Sequence, residues 1–145
     1  MVWVTAPTVG DEKFGNLSAD ALTELRYRVA WSYYIENDNV NARRVAAMAQ
    51  SGGGDWVAQA DWAQGLASWR MGDCRTAMAA FRSAAGRTNE AEVEAAGNFW
   101  FARAATACGA PQEAQPALRR AAAMDETFYG QLAAESLGIQ RSTSF

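Results

Sequence analysis

The residues of this chain whose types could do chemistry are two cysteines, a run of alternating glutamates, a recurring set of aromatic rings and one arginine beside them. Cys74 and Cys108 are the only thiols, and the 145-residue chain contains no histidine. A zinc site, a Ser-His triad or a Cys-His pair therefore cannot be assembled from it. No catalytic, cofactor-binding or metal-binding residue is expected. Glu90, Glu92 and Glu94 alternate, but residues two apart do not share a helix face. Stabilisation of a helix N-terminus by negative charge accounts for them better than a metal does. Asp55, Asp61 and Asp73 read as helix caps or solvated charges. Tyr27, Trp31, Tyr34, Trp62, Trp69, Phe99 and Arg103 form the candidate ligand-facing set. The rings are expected to fill seams between neighbouring helices. The alternative is a concave groove that grips sugar rings or an extended peptide. Arg103 is expected to pair with an acid on a neighbouring helix, with an anionic ligand as the alternative. The cysteines are expected to be two separate, partly buried thiols. A bridge is conceivable in an oxidising compartment, but it needs Cα atoms within about 7 Å.

The elements that would position these groups follow from a repeat. Small residues at Gly65, Ala77 and Ala84, with a large one at Phe81, recur at Ala102, Ala114, Leu118 and Ala121, and more weakly at Ala30, Ala42, Ala46 and Ala49. The shifts are 37 residues (Gly65 to Ala102) and 35 (Ala30 to Gly65). A period near 35 built of paired helices is the mark of an α-solenoid. Overlaying the repeats makes Tyr27, Trp62 and Phe99 equivalent, and Tyr34 and Trp69 one heptad further on. Residues seven apart share a helix face, so the first helices are expected to carry an aromatic ladder.

Helices are predicted over 19–36, 40–50, 56–71 and 74–85, then from the glutamate run to Cys108, from Pro111 onward, and over 126–137. Ser18, Asp55 and Asp73 are the expected N-caps. Gly72, Gly109 and Gly138 mark the stops, and Ser51-Gly52-Gly53-Gly54 is the clearest break. The class is all-α: an α-solenoid or superhelix of about three helical hairpins plus a short terminal helix. Residues 1–18 read as an extended N-terminal arm, 19–138 as the helical domain and 139–145 as a tail. Alanine is the commonest residue and β-branched residues are scarce, which favours helix. The formal net charge is −3 with no basic run, so nucleic acid is not an expected partner. No apolar run reaches the length of a membrane span. The first residues lack the basic-then-apolar layout of a signal peptide.

The small-large-small spacing resembles tetratricopeptide-like hairpins, without the proline that usually closes that repeat. A closer likeness begins at Ala96-Gly97-Asn98-Phe99-Trp100-Phe101-Ala102-Arg103-Ala104 and runs through Ala117-Leu118-Arg119-Arg120-Ala121-Ala122. It ends at Thr127-Phe128-Tyr129-Gly130-Gln131-Leu132-Ala133-Ala134 followed by Leu137-Gly138. This pattern resembles the helical superhelix of soluble lytic murein transglycosylases, and the likeness spans 30–138. The resemblance implies a non-catalytic scaffold that positions a C-terminal lysozyme-like catalytic domain on the peptidoglycan glycan strand, in the periplasm. The second expectation is a freestanding tetratricopeptide-like adaptor for a partner protein. The family's catalytic Glu lies in an E-S-x-F motif ahead of a G-L-M-Q-type segment. Glu135-Ser136 matches only its first two letters, no Phe follows, and the sequence continues only to Phe145. Glu135 is therefore expected to be a surface-facing helical glutamate.

Overall fold

A computed structural model describes residues 17–139. The arm expected over 1–18 falls outside it up to residue 16, and the tail outside it from residue 140. The described residues form seven α-helices and no strand. They are α1 (Ala19–Ile35), α2 (Asn39–Gln50), α3 (Val57–Arg70), α4 (Cys74–Gly86), α5 (Ala91–Ala107), α6 (Ala114–Ala122) and α7 (Phe128–Leu137), with a 3-10 turn (Pro111–Glu113) leading into α6.

The ends follow local chemistry. The Ser18 hydroxyl accepts from the Ala21 amide, and the carboxylates of Asp38 and Asp73 accept from Asn41 and Thr76. Thr127 caps α7 by accepting from Gly130. Gly138 ends that helix at φ 71°, a left-handed conformation that L side chains avoid. Two expectations at helix starts are corrected. Helix α3 begins one residue later than predicted, so Trp56 is the N-cap position and makes no side-chain cap bond. Asp55 is left one place too early to cap the orphan amides. Pro111 opens a 3-10 turn rather than α6 itself, which suits a ring that fixes φ and has no N–H to donate.

Each helix packs on the next, and α1 also touches α3, α3 touches α5, and α5 touches α7. The odd-numbered helices thus form a row, with α2, α4 and α6 set between successive members. The repeat positions are where this packing is tightest. Ala30, Ala42, Ala46 and Ala49 have no exposure, and neither do Ala77, Phe81, Ala84 and Ala121. Gly65 shows why one position must be small: a Cβ there would lie 2.5 Å from the Phe81 ring. Two apolar clusters result. Val29, Ala30, Val45, Ala46 and Ala63 make the first. Leu66, Ala77, Phe81, Phe101, Ala102, Ala104, Ala105, Ala114 and Ala117 make the second. Trp31 packs against both.

The expectation of separate thiols is overturned. Cys74 and Cys108 are joined in a disulfide with Cα atoms 5.6 Å apart. Cys74 opens α4 and Cys108 is the C-cap of α5, and packing α4 on α5 brings those two ends together at one edge. The reading of Asp61 as a cap or solvated charge is likewise corrected, because its side chain is completely buried.

Candidate functional site

The row of odd helices carries most of the aromatic rings, and their contacts divide into two groups. On α1, Trp31 stacks with Tyr27 at 6.2 Å between centroids and with Tyr34 at 5.0 Å. Tyr27 also meets Trp56 at 5.6 Å. Spacings of four and three residues place these rings on one helix face. The second group is centred on Trp62 of α3, which reaches Phe81 at 5.6 Å, Trp100 at 6.4 Å and Tyr129 at 6.3 Å. Trp100 also meets Trp69 edge-on at 6.0 Å, and Phe99 meets Tyr129 at 5.3 Å. Centroid separations of this size fall in the range of favourable aromatic pairs.

The expected ladder is therefore interrupted. Among the described residues, no ring contact joins Tyr27 to Trp62, whereas Trp62 and Phe99 meet the same tyrosine. Except for Phe81, the rings in these contacts are partly buried, with one part in a seam and another at the surface. The rings thus fill seams between neighbouring helices and still present surface.

Three guanidinium groups lie on this aromatic surface. Arg28 sits 5.0 Å from the Trp56 centroid, and Arg70 sits 3.7 Å from that of Tyr34 while donating to the Tyr34 carbonyl at 2.7 Å. Arg103 lies 4.6 Å from Trp100 and 5.8 Å from Trp69. A planar cation over a ring face is attracted by its quadrupole. Among the described residues Arg103 does not have the expected acid partner. The ion pairs among the described residues are Arg28–Glu24, Arg43–Asp73, Arg82–Glu113 and Arg87–Asp61. Aromatic rings take the place of an acid. Burial pushes the Tyr27 phenol above its ordinary value, and the neighbouring Arg28 offsets this in part.

All seven candidate residues lie on α1, α3 and α5, and the second group also includes two connecting rings outside the set. Trp100 and Tyr129 connect α3, α5 and α7. Neither belongs to the repeat overlay, and the signal that could have found them is the density of aromatics in Phe99-Trp100-Phe101 and Phe128-Tyr129. The indole N–H of Trp100 is buried and has no hydrogen-bond partner among the described residues, a costly state for a polar group.

Elsewhere, polar groups do structural work. Both oxygens of the Asp61 carboxylate are bound by Arg87, through Nη2 at 2.8 Å and Nε at 3.0 Å. Ser83 donates at 2.6 Å and Gln50 at 2.8 Å. Four donors satisfy a charge that burial would otherwise penalise. Glu90 accepts from Gln59 at 3.0 Å, while Glu92 and Glu94 lie in the first turn of α5. Among the described residues no group of three or more His, Cys, Asp or Glu could hold a metal ion. No described helix is long and apolar enough to cross a membrane. Glu135 lies exposed on α7. Compared with protein-family models, with curated proteins and with solved structures, the chain matches none of them.

Proposed function

We propose that this chain is a non-catalytic α-solenoid segment of a peptidoglycan lytic transglycosylase. It sets the position of a C-terminal lysozyme-like catalytic domain and lays its row of odd helices along the glycan strand. The observation that carries this reading is the two groups of partly exposed rings on α1, α3 and α5, overlain by Arg28, Arg70 and Arg103. Aromatic faces offer stacking surfaces to the apolar faces of sugar rings, and guanidinium groups offer hydrogen-bond donors to their substituents. The motif blocks at 96–104 and 127–134 support the link to that enzyme family. The Cys74–Cys108 bridge supports a periplasmic location, since disulfides persist in oxidising compartments.

Pelleting with isolated peptidoglycan tests the reading. The chain is expected to pellet, and Trp69→Ala combined with Phe99→Ala is expected to reduce pelleting more than it lowers the melting temperature. A chain that stays wholly in the supernatant overturns glycan contact and leaves the protein adaptor as the better account.

A further inference from the structure

A hollow lies where α5, α6 and α7 meet. Phe99 and Ala102 of α5 and Leu118 of α6 form its apolar floor, and Arg103, Thr106 and Ser136 stand at its rim. Its volume is about 240 Å³. At about 30 Å³ per water, that is room for roughly eight water-sized atoms, the scale of one or two small residues.

The rim chemistry is specific. Arg103 is exposed and makes none of the ion pairs among the described residues. Its guanidinium carbon lies 4.6 Å from the Trp100 ring centroid, a cation–π contact that holds a fork of N–H donors suited to a carboxylate. Thr106 and Ser136 are the opposite. The Thr106 hydroxyl donates to the Ala102 carbonyl and the Ser136 hydroxyl to the Leu132 carbonyl, each at 3.0 Å. With its single hydrogen committed, each oxygen has only lone pairs left to offer, so it can accept from a ligand N–H. One oriented cation, two acceptors and an apolar floor complement a group that carries a carboxylate, an amide N–H and a short aliphatic side chain.

We infer that this hollow binds the C-terminal end of a peptide whose last residues are small and aliphatic. Arg103 takes the carboxylate, Thr106 and Ser136 take the amide N–H, and Phe99 and Leu118 take the side chain. The inference deepens the ligand-facing reading of the odd-helix row, and rests on it only in treating that face as open to a ligand.

The test is an amide NMR titration of the whole chain with N-acetyl-Ala-Ala, as the free acid and as the C-terminal amide. The free acid should give saturable shifts at 99–106, 114–118 and 136. The amide form should bind about tenfold more weakly, the scale of one lost hydrogen bond to a charged group. Arg103→Gln should weaken the acid by a similar factor. Arg103→Lys should weaken it less, since it keeps the charge and loses the fork. If Arg103→Gln fails to fold, the acid-to-amide ratio on the unaltered chain and the Lys variant carry the test. Absent shifts, shifts confined to other residues, or equal binding of acid and amide overturn the site. Peptidoglycan pelleting in parallel separates the two proposals. Pelleting without peptide binding sinks the hollow alone, and peptide binding without pelleting sinks the glycan contact alone.

Discussion

The seam between α2 and α3 and that between α4 and α5 are built from different materials. Where α1 and α2 meet α3, much of the joining is polar. Asp61 of α3 accepts from Gln50 of α2 across this seam, and the same carboxylate holds Ser83 of α4 and the C-cap residue Arg87, whose Nη2 also donates to the Gln50 carbonyl. Gln64 donates to the Arg43 carbonyl and to Gln50, and Arg43 pairs with Asp73 at 3.0 Å. Where α4 meets α5, the seam is chiefly apolar and covalent: Phe81, Ala77, Phe101, Ala102 and Ala105 fill it and Cys74–Cys108 closes it. Gly97 lets the two backbones approach, since a Cβ there would lie 2.8 Å from the Phe81 carbonyl oxygen. Hydrogen bonds are directional and fix register, whereas apolar burial is non-directional and supplies most of the driving force. The first seam is thus the more specific and the second the more strongly held.

Four changes would break or sharpen that contrast. The largest effect is expected from Phe81→Ala, which empties the centre of the apolar seam. Loss of a fully buried phenylalanine costs about 4 kcal/mol, read as a fall in the denaturation midpoint. Reduction of Cys74–Cys108, or the Cys74→Ser, Cys108→Ser pair, comes next. Opening a crosslink that spans 34 residues should cost about 3–4 kcal/mol by loop-closure entropy, seen as a lower melting temperature in reductant. Asp61→Asn should cost about 2–3 kcal/mol, below the full penalty of a broken buried pair because Arg87 can turn toward water. In hydrogen exchange, its added opening should concentrate in α2 and α3 and spare α5. If Asp61→Asn instead loosens both seams equally, the proposed division between them fails.

The smallest effect concerns pH. The Thr76 hydroxyl and amide, together with Arg43, hold the Asp73 carboxyl below its usual range. A depressed carboxylate contributes stability that is fully present above the ordinary value of about 3.9 and fades as pH falls through the lower folded value. Asp73→Asn should flatten that part of the acid limb in a stability-versus-pH curve, because the variant lacks, at neutral pH, the small contribution that the charged carboxylate makes there. A steeper acid limb in the variant would contradict the assignment.

Local chemistry made the helices readable. Ser18, Asp73 and Gly138 act through neighbours within four residues, so the sequence alone announces their roles. The repeat positions were readable because a small residue facing a large one leaves a periodic trace. Asp61 was not readable: its partners Ser83 and Arg87 lie 22 and 26 residues away, and a single aspartate carries no mark of burial. The disulfide was visible as a possibility only, since sequence offers no Cα distance. The partition of the rings into two groups was hidden for the same reason. Periodicity aligns Tyr27 with Trp62, but which ring each one touches depends on Trp56, Trp100 and Tyr129, which lie outside the repeat.

The crosslink at the edge of α4 and α5 also governs how far this chain can extend under load. Tension applied to its two ends would pass from Cys74 to Cys108 across a gap of 5.6 Å instead of along the chain between them. At about 3.6 Å per extended residue, the 34-residue separation removes roughly 120 Å of slack. Helices α1 to α3 and α6 to α7 can be drawn out, while α4 and α5 stay shielded as a fixed link. With the bridge closed the chain therefore has a limited reach, and reduction lengthens it.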